Sequence, residues 1–300
     1  MREEVNRTAG CFKRRASELT ARPSRRFVEG AAACSTPTMF ISSWWSVATF
    51  LFQIVGYVGL STALEFAYYH RRGAPNARAA WKIQPGARVD TDAASPGSSE
   101  SRYAWGFPAW NLATGRHPRG RHRLHGHFAT INLALSALFA GATCEAHLRG
   151  WSALNPLVRT PMGVALAAWA TAKMIIWQSA IEYAWHRAMH TPALYKRMHK
   201  YHHHYKSPRP WDDLFISPAE CFGYLCILYS PAYCVGGPTA AFLAYMALMG
   251  VTGVLDHSGV NLSTWGYGVR FHDMHHSMTV VNFAFPFPAL DILFGTYRES

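Results

Sequence analysis

The chain has 300 residues, half of them apolar, 14% aromatic and only 15% charged, a balance that excludes a disordered polypeptide. The formal charge of +12 invites a nucleic-acid reading, but 18 of the 29 Lys and Arg precede Phe128, outside the stretch that carries the chemistry described below. That charge reads as topogenic or headgroup-facing, with no nucleic-acid partner expected. Six cysteines without a CxxC pair indicate neither a disulfide framework nor a zinc ribbon.

In chain order, residues 1–38 are Arg-rich and broken by Pro and Ser without an amphipathic period, as expected of a disordered basic tail. Phe40 to Leu64 is a 25-residue apolar run, with Trp44 and Trp45 at one end and Tyr68, Tyr69, Arg71 and Arg72 beyond the other. Length, aromatic belt and basic flank predict a transmembrane helix, which with the polar loop after it makes a region over 39–127. Two further spans are expected at Phe128 to Leu148 and Met162 to Ile181 within a catalytic region over 128–300. Ala219 to Cys234 and Thr239 to Leu255 are shorter apolar runs separated by Gly236, Gly237 and Pro238, which predicts a helical hairpin that crosses twice or dips in and returns. In either case its two ends share a side. The fold class expected is all-α, an integral-membrane helical bundle.

Histidine spacing carries the chemistry. His186 and His190 form HxxxH, His199, His202 and His203 form HxxHH, and His272, His275 and His276 repeat HxxHH. On helices these spacings share a face, so each box is expected to point two or three imidazoles at one place, as a metal needs and an apolar core does not. Imidazole suits iron, zinc or copper, and eight rings exceed what one tetrahedral ion takes, so a dinuclear site is expected. His257 with Asn261 forms an HxxxN variant whose amide either holds a metal-bound water or caps a helix. The expected metal set is His186, His190, His199, His202, His203, His257, His272, His275, His276 and Asn261. His204 stands undecided beside the second box. Six basic residues between Arg187 and Arg209, against two in the preceding connection, place the boxes in the cytosol by the positive-inside rule. Three spans before the first box would then put the basic tail on the other side, so either the tail is removed or one early segment does not cross.

These residues resemble the fatty acid hydroxylase superfamily, also called the sterol desaturase family of histidine-box membrane di-iron enzymes. The resemblance rests on His186-Arg187 with His190, on Leu194-Tyr195-Lys196, on His199-Lys200-Tyr201-His202-His203 with Pro208, and on His257-Ser258-Gly259. His272-Asp273-Met274-His275-His276-Ser277, Asn282-Phe283, Leu293-Phe294-Gly295-Thr296 and Trp81-Lys82-Ile83-Gln84-Pro85 extend it over roughly residues 40 to 298. HSGxN followed by HDxHH is most similar to the sterol branch, which includes cholesterol 25-hydroxylase and C4-methylsterol oxidase. Ser179 and Glu182 depart from the family's pattern before the first box.

The resemblance implies two iron ions, O₂ and NAD(P)H-derived electrons delivered by a separate donor, cytochrome b5 or its reductase. It implies oxidation of a lipid C–H bond to an alcohol or an alkene, with a sterol favoured and a fatty acyl or sphingoid lipid as the alternative, at the endoplasmic reticulum. No amino-acid side chain removes hydrogen from an unactivated C–H bond, so such chemistry demands a redox metal. A reading from a different class is a histidine-rich membrane metal transporter or sensor. Transporters carry ionisable ligands inside their spans, whereas these clusters fall at span ends. A catalytically silent scaffold is a third reading, opposed by the intact boxes.

Overall fold

A computed structural model describes residues 43–70, 81–84, 124–156, 158–262 and 269–299. The expected basic tail and most of the polar loop, with its histidines at 117 and 122, lie outside the described residues. Everything described belongs to one compact unit, Phe40–Ser300. It is helical apart from one two-residue parallel pairing between β1 (Leu154–Asn155) and β2 (Gly237–Pro238).

Helix α1 (Trp44–Leu64) starts where the Ser43 side chain accepts the Ser46 N–H, and it ends in a wider π-helical stretch, Glu65–His70. Helices α2 (His125–Leu148) and α3 (Pro161–Met189) follow. Thr160 caps α3, with Pro161 in its first turn, where the missing N–H costs nothing. A short α4 (Pro192–Arg197) and a 3₁₀ helix, His199–His204, lead to α5 (Pro218–Tyr229) and the single turn α6 (Pro231–Cys234). Helix α7 (Thr239–Asp256), α8 (Val269–Met278) and α9 (Ala289–Leu293) complete the unit.

Four stretches are long and apolar enough to cross a membrane: Trp44–Tyr69, His125–Leu148, Pro161–Met189 and Thr239–Asp256. Their outward faces carry large apolar side chains that water would not tolerate in such number, including Trp44, Phe52, Val55, Trp169 and Ile176. The protein is thus an integral-membrane helical bundle. Where helices meet, Ala140, Ala170, Met174, Leu225, Phe242 and Tyr245 form a buried core shared by α2, α3, α5 and α7.

Polar contacts fix the direction of each helix. Glu145, near the end of α2, accepts from Ser46 Oγ at 2.9 Å and binds Arg149 at 2.8 Å, so α1 begins beside the end of α2. At the opposite end Ser61 meets the Pro210 carbonyl at 3.3 Å and Tyr69 Oη donates to Ser258 O at 2.7 Å. The three early helices therefore alternate in direction over their full length. Helix α1 begins at the end far from the histidines. The 12-residue α5 is too short to span alone, at about 18 Å. The hairpin nonetheless returns to its starting end, because Gly236 (φ 66°) turns the chain where a Cβ would meet Ala153 O at 2.7 Å.

At the histidine end, residues 81–84 strap the bundle shut. Ile83 N–H reaches Gly259 O at 3.1 Å, Trp81 O accepts from Asn261 N–H at 2.7 Å, and Gln84 donates to Asp273 at 2.7 Å. Arg209 is buried against Glu65 and lies 4.4 Å over the Tyr69 ring. Only five of the six basic residues counted between Arg187 and Arg209 therefore face outward. Gly259 sits at φ 66° where a Cβ would come within 2.5 Å of Pro208 O and 2.6 Å of Tyr69 Oη. Gly259→Ala is expected to destabilise the protein by about 1–3 kcal/mol in thermal unfolding. Gly250→Ala, where a Cβ meets nothing within 4 Å, should be neutral or stabilise by about 0.5–1 kcal/mol.

Candidate metal centre

The three boxes sit on three kinds of backbone. His186 lies in the last turn of α3 and His190 caps it. His199, His202 and His203 occupy the 3₁₀ helix rather than an α-helix, and His272, His275 and His276 lie on α8. His257 caps the end of α7.

Together these elements bring nine imidazoles into two groups, His186, His190, His199, His203 and His275 in one and His202, His257, His272 and His276 in the other. Within each group one nitrogen from every ring lies within 4.8 Å of the others. The groups are neighbours, with His203 and His276 ring centroids 4.9 Å apart. Each HxxHH box sends two of its imidazoles to one group and the third to the other. Both HxxHH boxes split, because adjacent residues on a helix diverge by about 100° or more. His203 and His275 turn to the first group while His202 and His276 turn to the second.

The nitrogens are arranged for a cation. His199 Nε2 lies 3.0 Å from His190 Nε2 and 3.0 Å from His203 Nε2, which in turn is 3.1 Å from His275 Nε2. In the second group His257 Nε2 is 3.3 Å from His202 Nε2 and 3.0 Å from His272 Nε2. The opposite nitrogens are held by acceptors: His199 Nδ1 by Glu220, His186 Nδ1 by Phe283 O at 2.8 Å, and His275 Nδ1 by Val281 O at 2.7 Å. His257 Nδ1 has Gly253 O at 2.8 Å and Asp213 at 3.2 Å. An Nδ1 that donates its proton leaves Nε2 a bare lone pair. His199 and His275 thus aim unprotonated nitrogens at a shared point. Lone pairs converging about 3 Å apart match the edge between ligands at metal–nitrogen distances of about 2.1 Å. The buried Nε2 atoms of His186 and His276 have no hydrogen-bond partner. This donor set fits two metal ions held by nitrogen.

Electrostatics agree with ligation. Burial foremost, then the neighbouring imidazoles, pushes His199, His202, His203, His275 and His276 well below the usual histidine range, and His272 likewise through burial, His257 and His186. Neutral rings are what a metal requires. His257 is the exception: burial opposes its charge, but the Asp213 carboxylate outweighs this and pushes it up.

Asn261 is not brought into either group. Helix α7 ends at Asp256 and Gly259 turns the chain, so the i, i+4 spacing of HxxxN never shares a face; Asn261 is exposed and its backbone N–H holds Trp81 O. His204 packs on Tyr205 and Phe215, outside both groups. Two residues that sequence reasoning missed are Glu220 and Asp213, the imidazole partners. Neither lies at a motif spacing from its histidine, although a lone acid opening an apolar run, as Glu220 does, is a usable signal.

A cavity of about 100 Å³ opens beside the imidazoles, lined by Trp185, Ile216, Tyr224, Phe285 and Glu182 together with His186, His199, His202, His257 and His272. The C-terminal segment shapes its floor. Asp291 accepts the Phe283 and Ala284 N–H groups at 2.8 Å each, and Tyr183 Oη meets Thr296 Oγ1 at 2.8 Å, which sets the Phe283 carbonyl against His186.

Residues 171–296 match the family model described as Fatty acid hydroxylase. The very-long-chain aldehyde decarbonylase GL1-11 of Oryza sativa subsp. indica is 35% identical over 133 residues, 40% of this chain and 48% of that protein. A Delta(7)-sterol 5(6)-desaturase of Leptosphaeria maculans is 26% identical over 195 residues, 63% of this chain and 55% of that protein. The chain spans about half the length of these curated relatives. No solved structure matches.

Replacing Glu220 by Ala is expected to weaken iron binding about 10–100-fold, measured by competition with a chelator. Asp273→Asn, at a carboxylate that faces Gln84 instead of an imidazole, should leave it within about threefold. Equal losses in the two variants would contradict the role given to Glu220.

Proposed function

We propose that this protein, whose residues 171–296 match the Fatty acid hydroxylase model, is a membrane di-iron oxygenase that oxidises a lipid C–H bond. The convergence of nine imidazoles on two adjacent points, at one end of an apolar bundle, carries the reading. His186, His190, His199, His203 and His275 would hold one iron, and His202, His257, His272 and His276 the other. Bound there, the pair supplies the redox chemistry with O₂ that no side chain can.

The chain's own residues do the rest. Glu220, Asp213 and the carbonyls of Phe283 and Val281 hold ring protons at Nδ1, so the coordinating nitrogens stay bare and fixed in direction. Trp185, Ile216 and Phe285 exclude water beside the imidazoles and orient an alkyl group there. The apolar helices bring a membrane-dissolved substrate to this end without extracting it into water.

Sterol is the substrate we favour, supported by the HSGxN and HDxHH pattern and by the matched sterol desaturase. The aldehyde decarbonylase match supports a second reading, a long-chain aldehyde or acyl lipid. Electrons would come from cytochrome b5 or its reductase. Exposed Arg187, Lys196, Arg197, Lys200 and Lys206 would offer that donor a cationic face, and their charge supports a cytosolic side for the boxes, in the membrane of the endoplasmic reticulum.

Membranes containing the iron-loaded chain, supplied with NAD(P)H, donor proteins, ¹⁸O₂ and a panel of sterols and long-chain aldehydes, are expected to yield an ¹⁸O-labelled or newly unsaturated lipid. His203→Ala should lower the rate at least about 100-fold. An iron-loaded wild type that transforms no member of the panel would defeat the proposal.

A further inference from the structure

Three carboxylates line the cavity beside the imidazoles: Asp213, Glu220 and Glu182. Two of them are committed to the histidines, Asp213 to His257 and Glu220 to His199. The third is not. Glu182 projects from α3 one turn before His186, and among the described residues its hydrogen-bond partner is the Gln178 amide, one turn further back. Glu182 is only 8% exposed and Gln178 not at all, and Gln178 Oε1 is buried with no partner.

A carboxyl group placed against Trp185, Ile216 and Phe285 is costly unless something hydrogen-bonds to it. Gln178 Nε2 donates to one oxygen of the carboxyl group, and Glu182 lines the cavity. An apolar side chain would seal this wall at lower cost if the occupant were purely hydrocarbon. Burial, location on the cavity wall and the absence of any imidazole partner together call for a ligand with a polar group of its own.

We infer that Glu182, oriented by Gln178, binds an oxygen function of the lipid, a hydroxyl or an aldehyde carbonyl, and so selects an already oxygenated lipid over a plain hydrocarbon. A hydroxyl satisfies the carboxyl group in either protonation state, as donor to the carboxylate or acceptor from the acid, and a carbonyl accepts from the acid. Four residues along a helix rise about 6 Å, so the bound oxygen lies within a few carbons of the atom presented to the imidazole groups. The attacked carbon is accordingly near the oxygen function and not at a remote chain end. The inference deepens the proposed function by naming the substrate class, and its link to the attacked carbon rests on that reading; the binding preference does not.

The full-length iron-loaded chain in nanodiscs, kept anaerobic so that nothing turns over, is captured with radiolabelled octadecanol, octadecanal or octadecane, and binding above empty nanodiscs is measured. The wild type should retain the alcohol and the aldehyde about tenfold more tightly than the alkane, the worth of one buried hydrogen bond. Glu182→Met, which keeps length and removes the polar atoms, should bring the three probes within about twofold of one another through loss of the oxygenated pair, with alkane binding unchanged. Glu182→Gln should keep most of the preference, and Glu182→Leu repeats the test with a second apolar side chain. Iron content and monodispersity show which variants fold. A wild type without preference, or a preference that survives in either apolar variant, overturns the inference. A preference that follows Glu182 in a protein that transforms no lipid leaves the inference standing and removes the oxygenase reading. Transformed lipids with a preference indifferent to Glu182 do the reverse.

Discussion

The structure depends on keeping imidazole lone pairs pointed at one another. Rings that share a few ångströms repel unless a cation or a proton sits between them, and burial makes the proton expensive. The fold answers by anchoring the far side of four rings: Glu220 for His199, the Phe283 and Val281 carbonyls for His186 and His275, and Gly253 O with Asp213 for His257. These acceptors come from a loop, from the start of α5, from within α7 and from the segments after α8. The tertiary structure at this end is therefore organised around the nitrogen atoms, and the bundle beneath it supplies height and lipid contact.

That arrangement explains the two structural oddities of the chain. Helix α5 is too short to span, yet it must begin with Glu220 under His199, and α7 must end with His257 beside His202. A hairpin that leaves and returns to the same end meets both demands, and its turn at Gly236 and Gly237 is free to sit at whatever depth its length allows. The strap at residues 81–84 has the complementary task. Its bonds to Gly259, Asn261 and Asp273 tie the segments on either side of the third box to the rim, so that His257 and His272 remain within 3.0 Å across a 15-residue separation.

Periodicity and length made the membrane helices legible, because a long run of apolar side chains has few structural solutions. The histidine boxes were legible as a cluster for a similar reason: three imidazoles at fixed helical spacing have little other use. Their division into two groups was not. Adjacent rings diverge on the 3₁₀ backbone of His202 and His203 and on the α backbone of His275 and His276 alike, but which group each ring joins depends on how the three boxes are placed in the bundle, which the spacing HxxHH does not specify. Asn261 misled for a related reason, since HxxxN implies a shared face only while the helix continues, and Gly259 ends that continuity. Glu220 and Asp213 are set against histidines 21 and 44 residues away by hairpin geometry, and no local pattern encodes such a pairing.

The nitrogen-only donor set also bears on why the carboxylates sit where they do. Ligation by neutral rings would leave the positive charge of any bound metal ions uncancelled within the groups themselves. Glu220 and Asp213 sit one ring further out, each on a nitrogen that faces away from the shared point, so these carboxyl groups act on a metal only through an imidazole. This keeps the ring nitrogens basic and leaves no acidic ligand to be displaced or protonated at the metals. Among the described residues Glu182 is the cavity acid without an imidazole partner: the Gln178 amide meets its carboxyl group, on a lining that also carries Trp185, Ile216, Tyr224 and Phe285.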